Sequence, residues 1–426
     1  MKFNKWTVGL AAIGVVSLAS AARADEAKMS QVQTALSNTT ISGYVSASFN
    51  WAMSPGANGY QNSPAAGIPF QGGKQDGFNL DVVKLSIAKQ QDDSPWAAGY
   101  QVDLLFGPDA VGYNNAIGSG HNGYYDGYSD FAIKQAYIVL NTPVGNGINW
   151  KVGVFDSPIG YESFDAGSNP NYTRSWGYAI EPTELTGILA SYKVCDEFSL
   201  SAGIANTLMP GINTRTQPYD TFSTDQSKDW HKAFLGSATF TAPSSWGWAA
   251  GSSLYAGIVY GFNGQTDNVG QTNYHQGGDQ INYYAGATFN TPCKKLTVGA
   301  AFDYAHNYAG GWEEYTSYYE DNILVAGLYA TFKATDKLSF SARGEYVYGE
   351  DNYVPQHGSG YTESNDGFEL TGTVEYDLWA NVISRLEVRW DHASHKASED
   401  NSDVPITGDL EHGTSVGFYA NVIYKF

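Results

Sequence analysis

The chain is dominated by alternation. In residues 39–51, Ile41, Val45, Ala47, Phe49 and Trp51 share one parity, and Ser42, Tyr44, Ser46, Ser48 and Asn50 share the other. A strand sends successive side chains to opposite faces, so this spacing predicts a strand with one apolar and one polar face. The last stretch, 413–426, behaves alike: Thr414, Val416, Phe418, Ala420, Val422 and Tyr424 interleave with Ser415, Gly417, Tyr419, Asn421, Ile423 and Lys425. Between these two, strands are predicted in pairs joined by short turns: 78–89 with 96–107, 131–141 with 148–155, 185–194 with 198–205, and 231–241 with 248–262. The remaining pairs are 281–290 with 296–304, 322–333 with 338–348, and 368–376 with 382–391. Long polar connections separate the pairs, and the total is sixteen strands. Two strands break the pattern. Asn79 and Asp81 interrupt the first half of 78–89, which places that half above an apolar layer. Lys134 and Gln135 fall on opposite faces of 131–141, leaving its orientation open.

An even number of dyad-patterned strands, short turns on one side and long connections on the other define an all-β fold, a transmembrane antiparallel up-and-down β-barrel. No segment after the N-terminus approaches the ~18 apolar residues of a spanning helix, and a barrel strand needs only ~9–11. A soluble propeller would repeat four strands per about 40–45 residues, whereas strand pairs recur here. Tryptophans suit the same map. Trp96, Trp150, Trp248 and Trp379 sit near turn-side strand ends, and Trp51 and Trp390 near loop-side ends, as in the aromatic girdles of a membrane barrel. In a barrel that closes on itself, 413–426 must pair with both 382–391 and 39–51.

Composition agrees. Aromatic residues make up 15% of the chain, with 31 Tyr, and there are 48 Gly, which suits girdles and loops. The formal net charge of −20 argues against a nucleic-acid partner, which requires basic patches. Residues 1–24 read as a signal peptide: Lys2 and Lys5, an apolar run over 8–18, then Ala22, Arg23 and Ala24 as an A-x-A cleavage site. Residues 25–38 read as a polar periplasmic lead-in, and 39–426 as one barrel domain. Cys195 and Cys293 fall in turns four strands apart, on the order of 20 Å at ~4.8 Å per strand. A disulfide needs Cα atoms within ~7 Å, so they are not expected to pair within one chain.

With the apolar parity facing lipid, the charged parity lines the interior. The inward set is Asp103, Lys151, Lys193, Asp303, Arg343, Glu345, Glu369, Glu375, Arg385, Glu387, Arg389 and Asp391. A charge at the lipid midplane costs ~2–4 kcal/mol, which is why these should fall inside. Two readings stay open: a charged pore wall that sets solute preference, or a ladder of mutually neutralised ions that stiffens the wall. The connection 157–184 carries Glu162, Asp165, Tyr172, Arg174 and Glu181, and it is either an external loop or an in-folded constriction facing Arg343, Arg385 and Arg389.

Particular motifs go further. Gly153-Val-Phe155, Ser157-Pro-Ile-Gly-Tyr-Glu162, Asn171-Tyr-Thr-Arg-Ser175 and Glu181-Pro-Thr-Glu-Leu-Thr-Gly187 resemble the putative β-barrel porin-2, or OmpL-like, family. So do Gln135-Ala-Tyr137 and Arg385-Leu-Glu-Val-Arg-Trp-Asp391. The resemblance implies a porin-like barrel of the bacterial outer membrane and supplies no catalytic or ligand residues. The aromatic end, Phe426, resembles the closing residue that barrel-assembly machinery reads. The expected partners are outer-membrane lipids and lipopolysaccharide, that machinery, small hydrophilic solutes or ions, and a homo-oligomer.

The expected function is passive diffusion with a preference for cations, given the net acidity. The alternative is a narrow or plugged barrel with a structural or surface-binding role. An enzyme is not expected: Asp391, His392, Ser394 and His395 are neighbours in sequence, not a triad geometry. No cofactor or metal is expected either, since the histidines lack ligand spacing and the acidic segments 122–130 and 399–409 match no defined calcium loop.

Overall fold

The computed structural model describes residues 32–34, 37–52, 68–71, 74, 76–92, 94–111, 130–208, 212–213, 232–262, 279–306, 322–349, 365–393 and 414–426. The expected signal peptide lies outside them, as do the acidic segments 399–409 and, but for Asp130, 122–130.

Alternation produces sixteen barrel strands, each hydrogen-bonded to its sequence neighbour. They are β1 (Ser37–Ala52), β2 (Gly77–Lys89), β3 (Ala98–Phe106), β4 (Phe131–Thr142), β5 (Ile148–Asp156), β6 (Glu184–Lys193), β7 (Phe198–Ala205) and β8 (Ala233–Thr241). The second half comprises β9 (Ser253–Phe262), β10 (Asp279–Asn290), β11 (Leu296–His306), β12 (Asn322–Lys333), β13 (Leu338–Gly349), β14 (Asn365–Trp379), β15 (Val382–Ala393) and β16 (Thr414–Lys425). Closure is antiparallel, from Gly417 opposite Ala52 to Lys425 opposite Tyr44. Gly43 and Phe426 complete the seam by exchanging backbone bonds of 3.0 and 2.9 Å. Closure leaves no free edge, which is what allows a sheet to sit in hydrocarbon. A short strand, Val32–Thr34, folds back on β1 as an antiparallel hairpin, so part of the lead-in is itself sheet. Among the described residues, no helix is long and apolar enough to cross a membrane.

The outer wall is apolar and exposed, with Phe49, Leu328, Leu370, Leu386 and Val422 facing out. Trp51, Trp96, Trp248 and Trp379 are exposed at strand ends, while Trp150 and Trp390 are half-buried. Trp150 donates to Thr142 Oγ1 at 3.1 Å, and Trp390 stacks on His392 with ring centroids 5.6 Å apart. One boundary moves. Trp248 lies in a 3-10 turn, Ser244–Ala249, and not in a strand, because Gly247 (φ 63°) and Gly251 (φ 80°) let the chain coil before β9. Cys195 and Cys293 are exposed free thiols in turns.

Both pattern breaks are β-bulges, in which one extra residue opposes the partner strand. On β2 the register slips between Ser46 and Ala47, opposite Val82 and Leu80, so Asp81 is the extra residue and turns inward. Asp81 therefore belongs to the lumen, where it is 1% exposed, and not above the apolar layer. On β4 the slip lies between Asp103 and Leu104, opposite Gln135 and Ile133. This lets Lys134 and Gln135 both point inward although they are adjacent.

Candidate functional site

After β5 the chain turns into the barrel and does not return to the wall until β6. Its neck is closed by the Ser157 N–H donating to the Thr183 carbonyl at 3.1 Å. Inside, short-range polar contacts shape the loop. The Asn169 side chain accepts from Ser163 N–H at 2.9 Å and donates to the Ser163 carbonyl at 2.7 Å. Arg174 wraps the same turn, donating to the carbonyls of Ser163 (3.0 Å), Tyr172 (2.6 Å) and Phe164. Ser175 then caps a one-turn helix, Trp176–Ile180, accepting from Tyr178 N–H at 3.0 Å, as a serine at an N-cap does. Every residue from Asn171 to Tyr178 is buried.

An irregular backbone away from water leaves donors and acceptors that need partners. The charged face of β13–β16 supplies them in matched kinds. Its carboxylates accept loop N–H groups: Glu387 takes Tyr172 (2.6 Å) and Thr173 (2.9 Å), and Glu345 takes Trp176 (2.9 Å) and Gly177 (3.3 Å). Its guanidiniums donate to loop carbonyls: Arg343 to Thr173 (2.7 Å), Arg385 to Ala166 (2.6 Å) and Asn169 (2.8 Å), and Arg389 to Arg174 (2.6 Å). The wall charges also pair among themselves. Arg385 meets Glu375 at 2.7 Å, Arg389 meets Asp391 at 2.8 Å, and Arg343 meets Glu369 at 3.2 Å. These side chains face inward and pair with one another along the wall, and the loop covers them, its backbone hydrogen-bonded to the same groups.

The expected meeting of loop acids with the three arginines is corrected. Only Glu162 does so, reaching Arg343 at 2.8 Å. Asp165 turns instead to β1 and β2, meeting Lys84 (2.8 Å) and the Tyr44 hydroxyl (3.0 Å). Burial pushes the Asp165 carboxyl up, but Lys84 and Lys134 outweigh it and hold it down at about 2. Glu181 faces Asp303 on β11, an acid–acid contact. Of the other expected lining residues, Asp103 is bound by Lys84 (3.3 Å) and Gln135 (3.1 Å). Lys151 and Lys193 stand apart from the loop: Lys151 is half-buried with its ammonium 4.8 Å over the Tyr137 ring, and Lys193 pairs with Asp196 in an exposed turn.

A second in-folded piece, carrying Ile68, Phe70, Gln71 and Lys74, escapes the sequence pattern because it lies in a Gly/Asn/Pro-rich connection. Phe70 adopts φ 65° and packs edge-on against Phe164 at 5.2 Å. Lys74 reaches Asp81 (3.1 Å), the Tyr172 hydroxyl (3.1 Å) and Asp109 (2.9 Å), the last on a single helical turn, Pro108–Val111. Asp81 in turn accepts from Ser46, Ser48 and Tyr172, at 2.7, 2.7 and 2.9 Å. The bulge on β2 is the sequence signal that marks this hub.

Apolar packing completes the fit. Ile159 and Tyr161 cluster with Leu185, Leu189, Leu235 and Val259, and Tyr161 stacks on Tyr329 at 4.2 Å. Phe164 and Ala166 pack with Tyr44, Leu105 and Ile423, while Trp176 and Ile180 meet Ile323, Val325 and Val347. Loop and wall thus share three cores. Among the described residues, no group of three or more His, Cys, Asp or Glu is arranged to hold a metal ion.

A family model described as "Putative beta-barrel porin-2, OmpL-like" matches residues 38–426. Among solved structures, the outer membrane channel DcaP of Acinetobacter baumannii is similar, with 12% identity and a TM-score of 0.57 over 93% of this chain and 100% of that one. OmpF of Salmonella typhi gives 10% identity and 0.55 over 93% and 100%. The anion-selective porin from Comamonas acidovorans gives 12% and 0.52 over 91% and 99%. At such identities the likeness is one of fold. No curated protein matches the chain.

Proposed function

The chain belongs to the family described as putative β-barrel porin-2, OmpL-like, and from that premise we propose that it forms a channel of restricted bore in the bacterial outer membrane. Its solutes are small and hydrophilic, and it performs no catalysis. The observation that carries this reading is the loop inside the barrel, docked by Glu162, Arg343, Glu345, Arg385, Glu387 and Arg389. Loop residues 157–183 are the constriction, and passage requires them to shift. The wall and loop carry more carboxylates than basic groups, which supports a preference for cations. The exposed tryptophans act as membrane-interface anchors, with lipid and lipopolysaccharide around them and a homo-oligomer as the working state. Phe426 is the assembly signal.

The test is single-channel recording of the purified full chain in planar bilayers, beside Arg343→Ala. We expect small steps from the wild type and larger ones from the variant, with a cation-selective reversal potential in a KCl gradient. Silence from both would overturn the channel reading. A second reading, a plugged structural barrel, is favoured by the shared loop–wall cores, and such silence would support it.

A further inference from the structure

One contact between loop and wall differs in kind from the rest. Elsewhere a carboxylate meets a cation, an N–H or a hydroxyl. At the loop's end Glu181 instead meets Asp303 of β11, with the two carboxyls within hydrogen-bonding reach of each other. An ionised carboxylate only accepts hydrogen bonds, so a bond between two of them requires a proton. Among the described residues, no lysine, arginine or histidine pairs with either. The groups around them are Glu162 and Tyr161 from the loop and Tyr284 from β10, with Tyr255 beyond; Glu162 is already engaged by Arg343.

The site is built for close approach. Asp303 is 3% exposed, and its Oδ1 has no hydrogen-bond partner. A side chain on Gly177 would begin 2.6 Å from Asp303 Oδ2, and one on Gly160 only 2.2 Å from Glu181 Oε2. Gly160 also holds φ 118°, which other residues rarely adopt. Two glycines therefore roof the pair, one over each carboxyl. Burial and the neighbouring Asp303 hold the Glu181 carboxyl well above the usual range.

We propose that Glu181 and Asp303 share one proton and that this proton locks the loop to the wall, so that its loss to solvent frees the constriction. The proposal rests on the channel reading only for its consequence, a larger bore at alkaline pH. The sign follows from the docked state holding the proton more tightly than the released one. Docking is complete at low pH and weakens as pH rises through the raised value, where two like charges would face each other. One proton released makes the undocked fraction rise at most about tenfold per pH unit.

Hydroxyl-radical footprinting of the full chain in lipid, from pH 6 to 10, reads this at Trp176, which is buried in the docked loop; Phe155, buried in the wall, serves as control. In the wild type, Trp176 oxidation should rise with pH while Phe155 stays protected. Glu181→Gln and Asp303→Asn each place an amide donor where the proton was, and should keep Trp176 protected throughout. A wild type that stays protected to pH 10, or a Glu181→Gln variant that opens in parallel with it, overturns the proposal. Conductance recorded alongside separates the two readings. Pair-dependent opening without current would sink the channel and leave the lock standing.

Discussion

Arg343 and Glu162 meet at 2.8 Å inside the barrel, both side chains fully buried, although 181 positions separate them in the chain. Arg343 holds Glu369 and the Thr173 carbonyl at the same time, so one guanidinium ties loop to wall. Removing one partner of a buried ion pair costs about 3–5 kcal/mol, because the other charge stays behind unpaired. Arg343→Ala should therefore lower the thermal unfolding temperature of the barrel. Arg343→Lys should fall between, keeping the charge but losing the fork that serves several acceptors. An Arg343→Ala protein as heat-stable as the wild type would mean that the loop docks without this contact.

Glu387 makes the complementary case. It accepts from Tyr172 and Thr173 N–H and from the Thr173 and Thr373 hydroxyls, the latter two at 2.6 Å. Each buried donor left unmatched costs ~1–3 kcal/mol. Glu387→Ala should expose the 171–174 segment to protease or radical attack. Glu387→Leu should do no better, since filling the volume leaves the same N–H groups unanswered.

Acid should loosen the loop where it meets β1 and β2. The Asp165 carboxyl is held down at about 2, against 3.8 when free. Its attraction to Lys84 is thus present above about pH 4 and is lost as pH falls through about 2. Footprinting of Phe164 between pH 5 and 2 should show increasing attack. In Asp165→Asn the attack should already be raised at pH 5 and change little on acidification.

The seam is sensitive to volume. A Cβ on Gly43 would lie 2.1 Å from the Lys84 carbonyl and 2.8 Å from the Phe426 ring, so backbone has to move. Gly43→Ala should reduce the yield of folded barrel, seen as loss of the heat-modifiable band in a gel, and Gly43→Val should reduce it further. Folding at wild-type yield would show that the seam tolerates a bulge there.

The wall was legible in the sequence because lipid imposes a dyad on every strand, and even the strand bounds moved little. The two places where the dyad failed, Asp81 and Lys134, were bulges carrying lumen residues, so the irregularity was itself the signal. What the loop does was harder to read. Arg385 and Arg389 bind loop carbonyls, and a carbonyl looks alike in every residue, so no side-chain pattern announces it. Glu181 and Asp303 were each visible as acids, but their contact depends on how far the glycines at 160 and 177 let the backbone approach. Lys74 was hidden in a connection whose composition resembles any exposed loop.

The mutual backbone bonds of Gly43 and Phe426 have one more consequence. They set the first and last strands side by side, so the order of the strands is circular and the chain merely happens to be cut there. A permutant with its ends joined and a new opening at the turn over 334–337 would keep every interstrand partner described above. It would no longer end in Phe426. Such a chain, given the same leader at its new start, should refold in detergent yet fail to reach the membrane in cells, separating what the ring needs to exist from what it needs to be delivered.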